Sequence, residues 1–152
     1  MPDLAYDARA TIIFSSDTLL KHYEHNAHPY DFYAVRYVFA FGEKLSEETR
    51  KVWGDKFGIR IFEAYGLDEA SVIASNTPMH YKQNTVGRLL PGIQYRLKET
   101  AGVTKLSING ENIMLGYLKA DPLGELQPLK DGWFEIQDKI KINDEGYLIV
   151  LS

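Results

Sequence analysis

The sequence predicts an α/β fold. Residues 1–78 read as a partial parallel sheet built on a strand–helix–strand (βαβ) unit, and residues 79–152 as a small β-rich, distorted barrel-like subdomain. Two observations predict this. Helix and strand signals alternate through the first half, whereas the second half alternates apolar and polar residues at period two, with the change just after Pro78.

Each element follows from local chemistry. Thr11-Ile12-Ile13-Phe14 is a short β-branched run, and Ser16-Asp17-Thr18 supplies a cap for a helix over 19–26. Residues 35–41 are almost continuously apolar, as in a strand buried on both faces. Ser46-Glu47-Glu48-Thr49 opens the next helix, with Ser46 as cap and two acids at the positive end of its dipole. Gly58 ends that helix after Phe57, where a left-handed terminator belongs. Ile59-Arg60-Ile61-Phe62 is the following strand, and a strand–helix–strand unit of this length implies parallel strands with a right-handed crossover. Ligands of open α/β sheets bind beyond the carboxyl ends of the strands, which marks Gly42-Glu43-Lys44 and Tyr65-Gly66 as candidate loops.

In the second half, residues 95–98, 104–108 and 139–142 alternate as strands, and Asn143-Asp144-Glu145-Gly146 turns into a last strand over 147–151. That strand runs to Ser152 without a cap or polar tail, and the start is equally abrupt. The expectation is a piece of a larger protein, with an exposed cut face that favours self-association, including homo-oligomers.

Composition narrows the function classes. A chain of 152 residues with 45% hydrophobic and 25% charged residues is large enough for one packed domain. A net charge of −4 with dispersed lysines and arginines lacks the basic footprint of a nucleic-acid binder. The absence of cysteine removes disulfides, thiolate catalysis and cysteine–zinc sites, and suits a reducing cytoplasm. No apolar run approaches the ~20 residues of a membrane span. Acids at Asp3 and Asp7 stand where a signal peptide carries positive charge.

The chemistry concentrates in a few stretches. In Glu63-Ala64-Tyr65-Gly66-Leu67-Asp68-Glu69, a tyrosine ring beside a glycine suits a purine approaching closely, and a carboxylate a few residues on suits Mg²⁺ at phosphates. The same residues also read as a strand end with a buried Tyr65, a turn at Gly66 and Asp68 capping a short helix. Asp138, after the aromatic turn Trp133-Phe134, suits two ribose hydroxyls or is a solvated turn acid. Ile108 to Tyr117, with glycines at 110 and 116, and Asn84-Thr85-Val86-Gly87-Arg88 leading to Pro91-Gly92, read as structural turns.

Taken in order, Tyr65-Gly66-x-x-Glu69, Val86-Gly87-Arg88, Gly110 to Tyr117, Trp133 to Asp138 and Asp144-Glu145-Gly146-Tyr147 resemble the acyl-adenylate-forming (AMP-binding) superfamily of acyl-CoA synthetases and luciferases over nearly the whole chain. His28-Pro29-Tyr30-Asp31-Phe32-Tyr33, Glu43-Lys44-Leu45 and Asp55-Lys56-Phe57-Gly58 are similar to the synthetase part of bacterial bifunctional 2-acylglycerophosphoethanolamine acyltransferase/acyl-acyl-carrier-protein synthetases. The resemblance implies ATP-dependent activation of a fatty acid to acyl-AMP and transfer to acyl-carrier-protein or CoA, with inner-membrane association of the parent protein. It also implies ATP/AMP and Mg²⁺ as cofactors. By the same resemblance Gly42, Glu43, Lys44, Glu63, Ala64, Tyr65, Gly66 and Asp68 would form the nucleotide site with Asp138 on the ribose. Glu69 would hold Mg²⁺, and Thr85, Val86 and Gly87 would line the acyl pocket.

The sequence departs from the family pattern at several points. Asp68 stands where the family has threonine, replacing a donor by an acceptor that is ionised at neutral pH. Two unit charges ~4 Å apart repel by about 4 kcal/mol at an effective dielectric of ~20, so weak or absent adenylation is expected. Gln137 replaces a glycine, which would cost roughly 1–2 kcal/mol if that backbone needs positive φ. Asn84 replaces another glycine. The family's phosphate loop and its C-terminal domain with the catalytic lysine have no counterpart here, and Gly102-Val103-Thr104-Lys105 opens a strand without a following helix. The chain is therefore expected not to turn over alone, the alternative being a non-catalytic nucleotide-binding or interaction remnant. His22, His25 and His28 drift around a helix that Pro29 ends, so they read as helix-end cations rather than zinc ligands. Phe32-Tyr33 and Tyr37-Val38-Phe39 read as core, and no Ser/His/Asp triad is arguable from spacing.

Overall fold

The computed structural model describes residues 2–100 and 103–151. A short helix α1 (Pro2–Asp7) precedes β1 (Ile12–Ser15), α2 (Asp17–Asn26), a 3₁₀ turn at Pro29–Phe32, β2 (Tyr37–Ala40), α3 (Glu47–Phe57) and β3 (Ile61–Leu67). Then come β4 (Ser71–Ser75), β5 (Arg88–Leu89), β6 (Gln94–Thr100), β7 (Val103–Asn109), β8 (Gly116–Leu118) and β9 (Leu126–Pro128). A second 3₁₀ turn at Lys130–Gly132 leads to β10 (Phe134–Glu135), β11 (Lys139–Ile142) and β12 (Leu148–Leu151).

The first five strands form one sheet in chain order. β1, β2 and β3 are parallel, as the two strand–helix–strand units require, and β4 and β5 return antiparallel. The predicted helix signals act as read. Ser16 accepts from the Leu19 N–H, Ser46 accepts from the Thr49 N–H, and Gly58 closes α3 at φ 67°. Asp17 joins the two helices, because its Oδ1 accepts from both the N–H (3.0 Å) and the hydroxyl (3.1 Å) of Ser46. Burial opposes ionisation of that carboxyl, but these bonds, with Thr49 and Lys21, hold its pKa below the usual value.

One face of the sheet carries Ile13, Val38 and Ile61 in register, and these pack with Leu20 and Trp53 of the two helices. Trp53 is fully buried, stacks on Phe32 with ring centroids 5.0 Å apart, and donates its indole N–H to the Leu20 carbonyl. The opposite face is open at β1 and β2, while Phe62 of β3 is buried there against Phe39 and Tyr81. Ile12, Phe14, Tyr37 and Phe41 are exposed, and Phe14 stacks on Phe39 across the strands. The expectation that residues 35–41 are buried on both faces is therefore corrected. Val38 and Ala40 are core, while Tyr37 and Tyr33 of the expected aromatic core are exposed. A continuous apolar run reports that both faces avoid water in some setting, but only one is covered by these residues.

The second half forms separate small sheets (β10-β7-β6, β11-β12 and β8-β9), with no closed barrel among the described residues. A second core gathers Tyr65, Ile73, Leu106, Ile108, Ile136, Ile140 and Leu148. Gly102 and Ser152 lie outside the described residues, and β7 does open at Val103 with another strand pairing it. No described helix is long and apolar enough to cross a membrane.

The halves meet at residues 85–88. The Val86 N–H donates to the Leu148 carbonyl, the Leu148 N–H donates to the Gly87 carbonyl, and Arg88 bridges to Tyr147. Gly87 holds φ 86°, and a Cβ there would stand 1.9 Å from the Ser75 carbonyl carbon. Left-handed backbone alone costs an alanine about 1–2 kcal/mol, and a backbone overlap that cannot relax adds roughly 1–3 kcal/mol. Gly87→Ala is expected to lower stability by about 2–5 kcal/mol in urea unfolding. Gly92→Ala, at φ 90° with open space around it, should lose only about 1–2 kcal/mol; equal losses for the two would refute the close-approach argument.

Candidate functional site

A cleft of about 670 Å³ opens at the carboxyl end of the parallel strands. Its walls are Gly42, Glu43, Lys44 and Leu45 after β2, residues 63–67 of β3, residues 84–86, Asp138, and residues 149–151 of β12. Ten of the thirteen residues singled out by sequence meet here: Gly42, Glu43, Lys44, Glu63, Ala64, Tyr65, Gly66, Thr85, Val86 and Asp138. Asp68, Glu69 and Gly87 do not line the cleft. Asp68 is exposed and Glu69 partly so, in a turn that follows β3 rather than in a capped helix.

Several expected geometries are corrected. Tyr65-Gly66 is not a loop but lies within β3, at a register shift against β4. Gly66 is required by β4, since a Cβ there would stand 2.6 Å from the Ser71 carbonyl oxygen; the close neighbour is backbone. Gln137 is absent from the positive-φ residues, so the expected strain before Asp138 does not arise. Asn84 does sit at φ 61°, where asparagine is the side chain that best replaces glycine. Among the described residues no group of three His, Cys, Asp or Glu could hold a metal ion. His28 instead caps the 3₁₀ turn, its Nδ1 accepting from the Tyr30 N–H while Asp31 accepts from the His28 N–H.

The floor of the cleft is held by polar contacts. The Tyr65 hydroxyl donates to Asp138 Oδ2 at 2.6 Å, linking β3 to the residue just before β11. Burial, and then this bond, push the phenol well above its ordinary pKa, so it remains a donor. Asp138 is exposed and keeps its second oxygen for a further donor. Glu63 faces the helix layer, where Arg50 Nη2 donates to its Oε1 at 2.7 Å. Burial raises the Glu63 carboxyl and the Arg50 bond and charge oppose it. Glu43 is tied back to α2, accepting from the Thr18 hydroxyl (2.8 Å) and N–H (3.3 Å), and these bonds lower its pKa.

Sequence reasoning missed Asn76, Arg50 and the β12 wall. Asn76 is fully buried and donates to the Thr85 carbonyl at 2.6 Å, while its Oδ1 accepts from the Lys82 N–H and its own N–H donates to the Glu63 carbonyl. It thereby sets the loop that carries Thr85 and Val86. No periodic signal marks an isolated asparagine. Ile149, Val150 and Leu151 were visible as a strand, but not as a wall of this cleft.

Residues 3–118 match the AMP-binding enzyme family. The chain is 28% identical over 129 residues to 4-hydroxybutyrate–CoA ligase 1 of Metallosphaera sedula, covering 76% of this chain and 22% of that protein. It is 26% identical over 131 residues to a long-chain-fatty-acid–CoA ligase of Yersinia pestis, covering 80% and 23% respectively. It thus spans about a fifth of the length of these relatives. All of it superposes on a third (33%) of ATP-bound MatB from Rhodopseudomonas palustris, with a TM-score of 0.78 and 25% identity. Apo MatB gives a TM-score of 0.81 at 24% identity over the same shares. The match includes the loop after β2, the β3 motif and residues 84–88, and on it the chain belongs to the AMP-binding enzyme family.

Proposed function

We propose that the chain forms the nucleotide- and acyl-facing wall of an acyl-adenylate-forming ligase acting on a fatty acid. In that reaction the acid's carboxylate attacks the α-phosphorus of ATP and pyrophosphate leaves. The thiol of CoA or of acyl-carrier-protein then attacks the acyl carbon and AMP leaves. The single observation that carries the reading is the convergence on one cleft of Gly42–Lys44, Glu63–Gly66, Thr85, Val86 and Asp138, from four separated stretches of sequence.

In this reading the Tyr65 ring stacks on the adenine, and Asp138 accepts from the ribose hydroxyls with the oxygen that Tyr65 leaves free. Glu43, anchored on Thr18, holds the Gly42–Lys44 loop as the rim of the base pocket. Glu63 contributes its backbone, because its carboxylate is committed to Arg50. Thr85 and Val86 face the acyl chain together with the apolar side chains of Ile149, Val150 and Leu151, and Gly87 sets their position. Mg²⁺ commonly takes one or two carboxylates plus substrate phosphates and water. The single partly exposed Glu69 carboxylate fits that donor set. When bound, the ion would neutralise phosphate charge.

Asp68 is exposed, so its repulsion of a phosphate is set by a dielectric near that of water, about 1 kcal/mol at ~4 Å rather than 4. The substitution weakens the site without abolishing it.

Calorimetric titration of the purified chain tests the reading: AMP should bind saturably, and Asp138→Ala and Tyr65→Ala should each abolish binding at millimolar nucleotide. Absence of AMP binding by the unmodified chain would leave the interaction-remnant reading in its place. Asp68→Thr should tighten ATP about fivefold at low salt and leave uncharged adenosine unchanged, following the ~1 kcal/mol estimate. An equal change for both ligands would show that Asp68 acts on the fold instead. Because the phosphate loop and catalytic lysine that the resemblance implies have no counterpart in these residues, the isolated chain should give no ATP–pyrophosphate exchange with fatty acid present. Measurable exchange would refute that part of the reading.

A further inference from the structure

The loop from Gly110 to Tyr117 makes three hydrogen bonds to the turn that carries Glu69. Asn112 Nδ2 donates to the Ala70 carbonyl at 2.5 Å. The Met114 N–H donates to the Glu69 carbonyl at 2.8 Å. The Tyr117 hydroxyl donates to Glu69 Oε1, also at 2.8 Å. Two of these bonds hold the backbone of the turn and the third holds the carboxylate itself.

The loop is well anchored for that task. Ile113 is 9% exposed and belongs to the second core. Gly116 lies so near β9 that a Cβ would stand 2.1 Å from the Gln127 carbonyl oxygen, which sets where Tyr117 begins. A glutamate at a partly exposed turn otherwise has three rotatable side-chain bonds and pays their entropy when a ligand orders it. A phenol donating to a carboxylate makes a charge-assisted bond that removes much of that freedom beforehand. Tyr117 engages Oε1, and no described group bonds Oε2.

We propose that Tyr117 is a positioning residue: its hydroxyl holds the Glu69 carboxylate in one orientation, leaving Oε2 for the Mg²⁺ of bound Mg·ATP. This rests on the role given to Glu69 above. A merely structural strut would join β8 to the turn after β3 and affect stability, with no effect that depends on Mg²⁺.

The test is titration of the full chain with AMP, with ATP and with ATP plus Mg²⁺, for the unmodified protein, Tyr117→Phe, Glu69→Gln and the double variant, each checked for its urea unfolding midpoint. Tyr117 is exposed, and the phenylalanine variant loses one oxygen. Mg²⁺ should tighten ATP binding by the unmodified chain, and Tyr117→Phe should lose about five- to tenfold of that gain, within the range of the net contribution of one hydrogen bond. AMP affinity should stay within about twofold, and the change should vanish on the Glu69→Gln background. Unchanged Mg·ATP affinity in Tyr117→Phe, or parallel losses for AMP and Mg·ATP, would overturn the proposal. AMP binding with no gain from Mg²⁺ in the unmodified chain would overturn it through Glu69. Failure to bind either nucleotide would overturn the functional reading on which it stands.

Discussion

The structure turns on the close passage of Gly87 over β4. At that point a loop with no room for a side chain lies against the backbone of Ser75 and Asn76, and the same residues exchange hydrogen bonds with Leu148. One three-residue stretch thus joins the five-stranded sheet to the β11–β12 hairpin. Asp138 precedes that hairpin and Tyr65 lies in the sheet, so this junction, together with the second core packed across it, brings the partners of the 2.6 Å hydrogen bond together. Asn76 reinforces it from below, tying Thr85 and Lys82 through a side chain with no exposed surface and Glu63 through its backbone N–H. A buried amide is costly unless satisfied, and here its bonds span the segments that form the cleft.

Charge in and around the cleft is managed by pairing. Glu63 would be an unfavourable buried anion, and Arg50 on α3 meets it at 2.7 Å. Glu43 is tied to the first turn of α2, and Glu69 to Tyr117. Asp138 on the wall is oriented through one oxygen by the Tyr65 hydroxyl while its other oxygen stays unengaged among the described residues. The cleft thus combines oriented polar groups with the apolar residues of β12, the mix common in small-molecule sites.

Much of this was legible in the residues. Caps at Ser16 and Ser46 and the terminator at Gly58 marked helices α2 and α3 to within a residue or two, because each signal is a local hydrogen bond or a local backbone preference. The short strands β4, β5, β8 and β9 were not legible. Two to five residues carry too little periodicity, and each forms only because a partner strand lies beside it. Gly66 was marked as leaving room for a purine, and the group that takes up the space beside it is the β4 backbone. Gln137 was read as strained on the strength of a resemblance, and the chain passes it without positive φ. Asn84, noted from sequence only as replacing another glycine, does take positive φ.

The sequence by itself determined the order of the main elements and the parallel start of the sheet, which follow from periodicity and capping chemistry acting over a few residues. Most of the cleft residues were named through its resemblance to the AMP-binding superfamily. Tertiary structure decided the rest: which face of β2 is covered, that Arg50 answers Glu63, that Asn76 sets the 84–87 loop, and that Tyr117 reaches Glu69 across 48 positions. Each depends on where segments distant in sequence are brought together. That placement is a property of packing and of backbone clearance at positions such as Gly87, and it leaves no periodic trace in the chain.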